Sequence, residues 1–114
     1  MRYALLICND ENSAISEKER SRRDAAFIAF QSHMRMRGAL VGGERLAATE
    51  TATTVRCWDG GDVVAADGPF AETKEQIVGF LIVDCKDLDE AIEVATKVPT
   101  AWYGTVEVRP AWEM

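Results

Sequence analysis

A chain of 114 residues, 47% hydrophobic and 28% charged, has the composition of one globular domain and is too rich in apolar side chains to remain disordered. Its 19 acidic against 13 basic residues leave a net charge of -6, whose field repels polyanions and excludes nucleic acid and anionic membrane as partners of the surface as a whole. The first apolar stretch, Ala4 to Cys8, is too short for a signal-peptide core, and none approaches the roughly 20 apolar residues that span a bilayer, so a cytoplasmic protein is expected.

Arg2 to Cys8 reads as a short apolar strand closed by the turn-rich Asn9-Asp10-Glu11-Asn12. A helix should follow, because Ser16 and Glu19 have capping-box spacing and Ala26, Phe27, Phe30 and Met34 recur at helical intervals down to Gly38. The charges from Lys18 to Asp24 read as its solvated first turns. Ala39 to Leu46 is a second strand, and Ala52 to Trp58 a third, rich in the β-favouring Thr53, Thr54, Val55 and Trp58. Asp59-Gly60-Gly61-Asp62 predicts a hairpin turn, and Val63 to Ala66 a return strand that ends at Asp67-Gly68-Pro69, where proline removes a ladder donor. Ile77 to Cys85 is the most hydrophobic strand. Asp87 and Glu90 then repeat the capping pattern ahead of a helix whose stripe is Leu88, Ala91, Ile92 and Ala95, and which Pro99 helps to end. Thr105 to Arg109 alternates as the last strand.

This order predicts an α+β fold over a single domain, residues 1–114: a ferredoxin-like antiparallel sheet with two helices on one face and an inserted hairpin. Both parities are apolar in Ala4-Leu5-Leu6-Ile7 and from Ile77 to Val83, so these strands call for cover on both faces. Two helices cover one. A second copy of the sheet is the most economical cover for the other, which predicts a homodimer with its sheets packed face to face. Cys8, Cys57 and Cys85 lie within apolar strand patterns and are expected as buried, reduced thiols. With no C-x-x-C spacing and a single histidine, neither a metal site nor a cofactor is called for.

The segments Met1-Arg2-Tyr3-Ala4-Leu5-Leu6-Ile7, Gly42-Gly43-Glu44-Arg45-Leu46, Ala52-Thr53-Thr54-Val55-Arg56, Asp67 through Glu75, Leu88-Asp89-Glu90-Ala91 and Gly104-Thr105-Val106-Glu107-Val108-Arg109-Pro110 are specific in their joint order. In them the chain resembles the DGPF-domain family of the YCII-related superfamily over nearly its whole length. The resemblance implies a dimeric α+β barrel and a link to extracytoplasmic-function sigma factors, and it implies no assigned reaction. The YCII branch is thought to use a histidine on the first helix and an aspartate just before the glycine that ends it. Those positions hold Phe27 and Met36 here, so that acid–base pair is not carried over. Tyr103 stands where the DGPF pattern usually has a histidine.

Asp67-Gly68-Pro69-Phe70 reads structurally as a turn in which Asp67 caps, Gly68 allows positive φ, Pro69 fixes the chain and Phe70 anchors the loop in the core. The functional reading is a loop at a pocket mouth, with Asp67, Glu72 or Glu75 as a base and Lys74 as charge partner. Arg56, Glu107 and Arg109 are surface or ion-paired strand residues, or else arginines facing the inter-sheet space that bind a carboxylate or phosphate bidentately. His33 reads as an ordinary helix residue, since no serine or cysteine motif supplies it with a nucleophile. Trp58, Trp102, Tyr103 and Trp112 read first as core or interface anchors, with the lining of an aromatic pocket as the alternative. The function expected is a homodimer binding a small molecule between its sheets, with any enzymatic activity unassigned. The alternative is an accessory interaction module acting with a sigma factor, which the resemblance alone suggests. A cavity lined by arginine and carboxylate groups would favour the first, and a packed, dry inter-sheet space with a large exposed apolar patch the second.

Overall fold

The computed structural model describes residues 1–58 and 60–113. Its elements are β1 (Arg2–Asn9), α1 (Glu17–Met36), β2 (Leu40–Arg45), β3 (Thr53–Cys57), β4 (Val63–Asp67), β5 (Gln76–Asp84), α2 (Leu88–Lys97) and β6 (Thr105–Pro110). Short 3-10 turns occupy Thr49–Thr51 and Pro99–Trp102. Four strands form an antiparallel sheet in the order β2-β5-β1-β6, the arrangement of a ferredoxin-like α+β domain. The helices begin where the caps were read. Ser16 Oγ accepts from the Glu19 N–H at 3.1 Å, and Asp87 Oδ1 from the Glu90 N–H at 2.9 Å. Each such cap contributes about 1 kcal/mol.

The register explains the core. Leu5 pairs with Leu81 on one side and Val108 on the other, so Tyr3, Leu5 and Ile7 share a face with Leu81 and Val83. That face packs against Phe30 and Met34 of α1 and Ala91, Val94 and Ala95 of α2. Burying a side chain as completely as Leu5 or Met34 contributes roughly 1.5–3 kcal/mol. The stripe of α2 is rotated from the expected one: Val94 is buried, while Leu88 and Ile92 are about half exposed. Apolar residues on both sides of Ala91 permit either face, and docking on the sheet selects between them. The opposite face of the sheet carries Ala4, Leu6, Cys8, Phe80 and Ile82, all half-buried in the single chain.

Gly43 sets the spacing at one edge. Its φ is +146°, and a Cβ there would strike the Phe80 carbonyl oxygen and Leu81, so β2 lies against β5 only because this residue has no side chain. A register shift between Leu40 and Gly42 accompanies the close approach.

Strands β3 and β4 pair only with each other and are almost wholly exposed. The turn between them forms about where expected, although Asp59 lies outside the described residues. The Cα radius of gyration is 16.1 Å, against about 13 Å for a packed domain of roughly this length, and the extents of 47 × 44 × 19 Å describe a flat molecule. Of the three thiols only Cys85 is buried; Cys8 is half-buried, and Cys57 is exposed because the hairpin has no neighbouring layer to cover it. Among the described residues no helix is long and apolar enough to cross a membrane.

Candidate functional site

The carboxyl end of β1 opens into a cleft of about 300 Å³ between the first turns of α1, the end of β2 and the turn before β6. Ile7, Phe27 and Val78 form its apolar wall. The loop after β1 contributes Asp10 and Glu11, α1 contributes Arg20, Arg23 and Asp24, and β2 contributes Arg45. Positions 20, 23, 24 and 27 follow the i, i+3, i+4, i+7 spacing of one helix face, and Arg23 and Asp24 are half-buried at the cleft, whereas Lys18, Arg20 and Arg22 are exposed, as expected of solvated first turns.

Three contacts order the charges. Arg23 lies with its guanidinium carbon 3.7 Å from the Tyr103 ring centroid and donates from Nε to Glu19 Oε1 at 2.9 Å. Arg45 Nη2 donates to Asp24 Oδ1 at 2.7 Å. Glu11 Oε2 accepts from the Thr49 hydroxyl at 2.7 Å and from its N–H at 3.1 Å, fixing the loop after β1 to the 3-10 turn that follows β2. Glu19 also accepts two bonds from Arg22, at 2.8 and 2.9 Å. Hydrogen bonds from Arg22 and then Arg23 hold its carboxyl down at about 2.

The residues expected to form a site fall in three other places. On the hairpin, the Arg56 guanidinium carbon lies 4.9 Å from the Phe70 ring centroid. Gly68 has φ 99°, donates its N–H to the Ala52 carbonyl at 2.7 Å and accepts from Thr54 Oγ1 at 2.7 Å, so the positive φ expected of it is present, although among the described residues the Asp67 side chain caps no N–H. Phe70, however, is 74% exposed and anchors nothing in the core. Pro69 and Phe70 instead line an open apolar groove with Ala52 and Ile77, which shares Leu46 and Ala48 with the cleft. Asp67, Glu72 and Lys74 are exposed.

The second place is the end of β1, where β5 and β6 begin on either side of it and Glu75 accepts from Thr105 Oγ1 at 3.0 Å. The third is the outer sheet face, where Glu107 meets Arg109 at 3.7 Å, both well exposed. Glu75 and Glu107 both lie near Cys8, whose thiol is pushed up by burial first and by these two carboxylates after it. Arg56 belongs to the hairpin rather than to this sheet, so it does not join Arg109 within one chain. His33 is exposed on α1. Among the described residues no three His, Cys, Asp or Glu side chains converge as metal donors.

The family model for the YCII-related domain matches residues 1–114. The chain belongs to the YCII-related family. It is also 42% identical to an uncharacterised protein of Rhizobium meliloti (strain 1021), over 96% of this chain and 91% of that one.

Within the YCII-related fold the two positions where histidines were anticipated, Phe27 and Tyr103, both line the cleft. Met36, where the aspartate was anticipated, is 89% exposed and nine residues further along α1, about 13 Å by helical rise, so Phe27 and Met36 do not meet. Arg23, Asp24 and Arg45 were not singled out in the sequence. One signal was present: stepping back from Met34 and Phe30 through Phe27 by helical intervals lands on Arg23, a charge on an otherwise apolar stripe.

Proposed function

We propose that this YCII-related protein is a homodimer that binds a small molecule, with the ligand held in the cleft at the carboxyl end of β1. One observation carries the reading: arginine and carboxylate side chains converge there against an apolar wall, in a concavity at the small end of the range for ligand pockets. The cleft is bounded within one chain. The inter-sheet space anticipated from the sequence would exist only in the dimer, so the ligand is assigned to the cleft and the outer sheet face to the partner. Three free thiols, one of them on an exposed strand, support a reducing compartment such as the cytoplasm.

A thermal-shift screen against a metabolite library tests this, since a ligand at a hundred times its Kd adds about 2.7 kcal/mol of stability. Hits that vanish when Ser13→Trp, a residue of the cleft and not of the neighbouring groove, fills the cleft support the assignment. Hits that survive it place the ligand elsewhere.

A second reading is an accessory module that docks on another protein, a sigma factor being the partner the resemblance suggests. It is favoured by the exposed apolar residues of the β3–β4 hairpin, Val55 and Val63 on one face and Val64 on the other beside Arg56 and Phe70. Affinity capture with the hairpin intact and with Val55→Ser/Val64→Ser separates the two readings: a partner lost with these valines belongs to the docking module.

A further inference from the structure

Arg23 differs from the other arginines of the cleft in how it is held. Tyr103 fixes the plane of its guanidinium by stacking, and Glu19 fixes its rotation by taking Nε–H. The side chain is 21% exposed, against 61% for Arg45, which is already committed to Asp24. Among the described residues the two Nη groups of Arg23 donate no hydrogen bond within the protein. A guanidinium held on one face and on its Nε edge presents the end-on pair of Nη donors as a preorganised fork, whose spacing matches the two oxygens of a carboxylate. Little side-chain entropy is left to lose when such a fork closes on an anion.

We propose that Arg23 is the carboxylate-binding residue of the cleft, and that the ligand is a small monocarboxylate whose apolar or aromatic body rests against Ile7, Phe27 and Val78. This rests on the cleft being the ligand site. Local charge decides between oxyanions. Asp10, Glu11 and Asp24 line the same cleft and oppose a multiply charged phosphate more strongly than a single carboxylate, while the apolar wall gives an inorganic anion nothing to bury. Tyr103 acts through Arg23 as a positioning residue, stacked on the guanidinium it orients.

The probes are benzoate, benzamide, benzylamine and inorganic phosphate, titrated into the ¹⁵N-labelled protein while the backbone amides of Asp10, Asp24 and Tyr103 are followed by NMR. Benzoate is expected to shift these amides saturably. Affinity should fall roughly tenfold or more in Arg23→Gln, the range for losing hydrogen bonds to a charged group. Arg23→Lys, which keeps the charge and loses the fork, should weaken binding as well, and it serves as the test if Arg23→Gln does not fold. Arg109→Gln, on the outer face, should leave the affinity unchanged.

Benzoate binding undiminished in Arg23→Gln and Arg23→Lys overturns the proposal, as does phosphate binding as tight as benzoate. Benzamide or benzylamine shifting the cleft amides while benzoate does not would remove the carboxylate assignment and leave the cleft standing as a ligand site. If all four probes shift only amides outside the cleft, the cleft reading itself falls.

Discussion

The Arg23 guanidinium stacks 3.7 Å over the Tyr103 ring and joins the start of α1 to the turn that leads into β6. This contact links two elements distant in sequence and closes one side of the cleft. An aromatic face beneath a partly desolvated cation contributes about 0.5–2 kcal/mol. Tyr103→Ala should therefore lower unfolding free energy by about 1 kcal/mol and reduce binding of a cleft ligand. Tyr103→Phe keeps the ring and should leave both near wild type. Urea unfolding with a parallel ligand titration checks this, and a Phe variant as impaired as the Ala variant would locate the effect in the hydroxyl instead.

Glu19 gives a pH-dependent counterpart. Its carboxyl sits at about 2 in the folded chain against an ordinary value of 4.5, because Arg22 and then Arg23 donate to it. A carboxyl that is more acidic folded than unfolded contributes stability that is complete above the ordinary value and is lost as pH falls from about 4.5 towards about 2. The contribution is small, since the arginines are partly solvated. The ordering of Arg23 should weaken over the same window. A ¹³C titration of the Glu19 carboxyl should find its midpoint well below the usual carboxylate range, and Arg22→Ala should move it upward. A midpoint near 4.5 in the wild type would mean that these bonds are absent in solution.

The fold was largely legible in the sequence, and the site was less so, for a physical reason. Both caps and the hairpin turn are local: Ser16, Asp87 and the Gly60-Gly61 pair specify them within a few residues. What tertiary docking decides was not legible. Phe70 reads as a core anchor from its residue type, yet it sits beside a hairpin with no layer beneath it. Cys57 reads as buried for the same reason and is exposed. Arg23 and Asp24 look like ordinary first-turn charges until the turn bearing Tyr103 is placed against α1.

Gly43 and Gly42 offer a local contrast at the edge of the sheet. Gly43→Ala forces a Cβ into the Phe80 carbonyl and Leu81 from a backbone with φ +146°, so β2 must move away from β5. The expected cost is about 1–3 kcal/mol, or a fall in Tm of at least about 4 °C. Gly42→Ala meets nothing within 4 Å and should change Tm far less. Equal effects of the two substitutions in thermal unfolding would show that the close approach of β2 to β5 does not limit stability.

In the proposed dimer the outer sheet face is the surface that a second copy would cover. Leu6 pairs with Phe80 on β5 and with Glu107 on β6, and Ile82 lies two residues along from Phe80 on the same side, so an apolar strip runs across the middle of the sheet with Arg109 and Glu107 at its margin. Half-buried in one chain, these side chains lose the rest of their exposed area when a second sheet covers them, at about 25 cal/mol per Å² of apolar surface. The 12.6 kDa chain should therefore sediment as a dimer at micromolar concentration. Phe80→Glu should yield a monomer, because two copies would bury like charges against each other, while the inner face of Leu5, Leu81 and Met34 keeps the fold intact. Sedimentation with circular dichroism on both proteins checks this. A monomeric wild type would overturn the dimer, whereas a Phe80→Glu variant that stays dimeric would assign the interface elsewhere, and the exposed hairpin residues Val55 and Val63, on one face of the ribbon, would be the next surface to substitute.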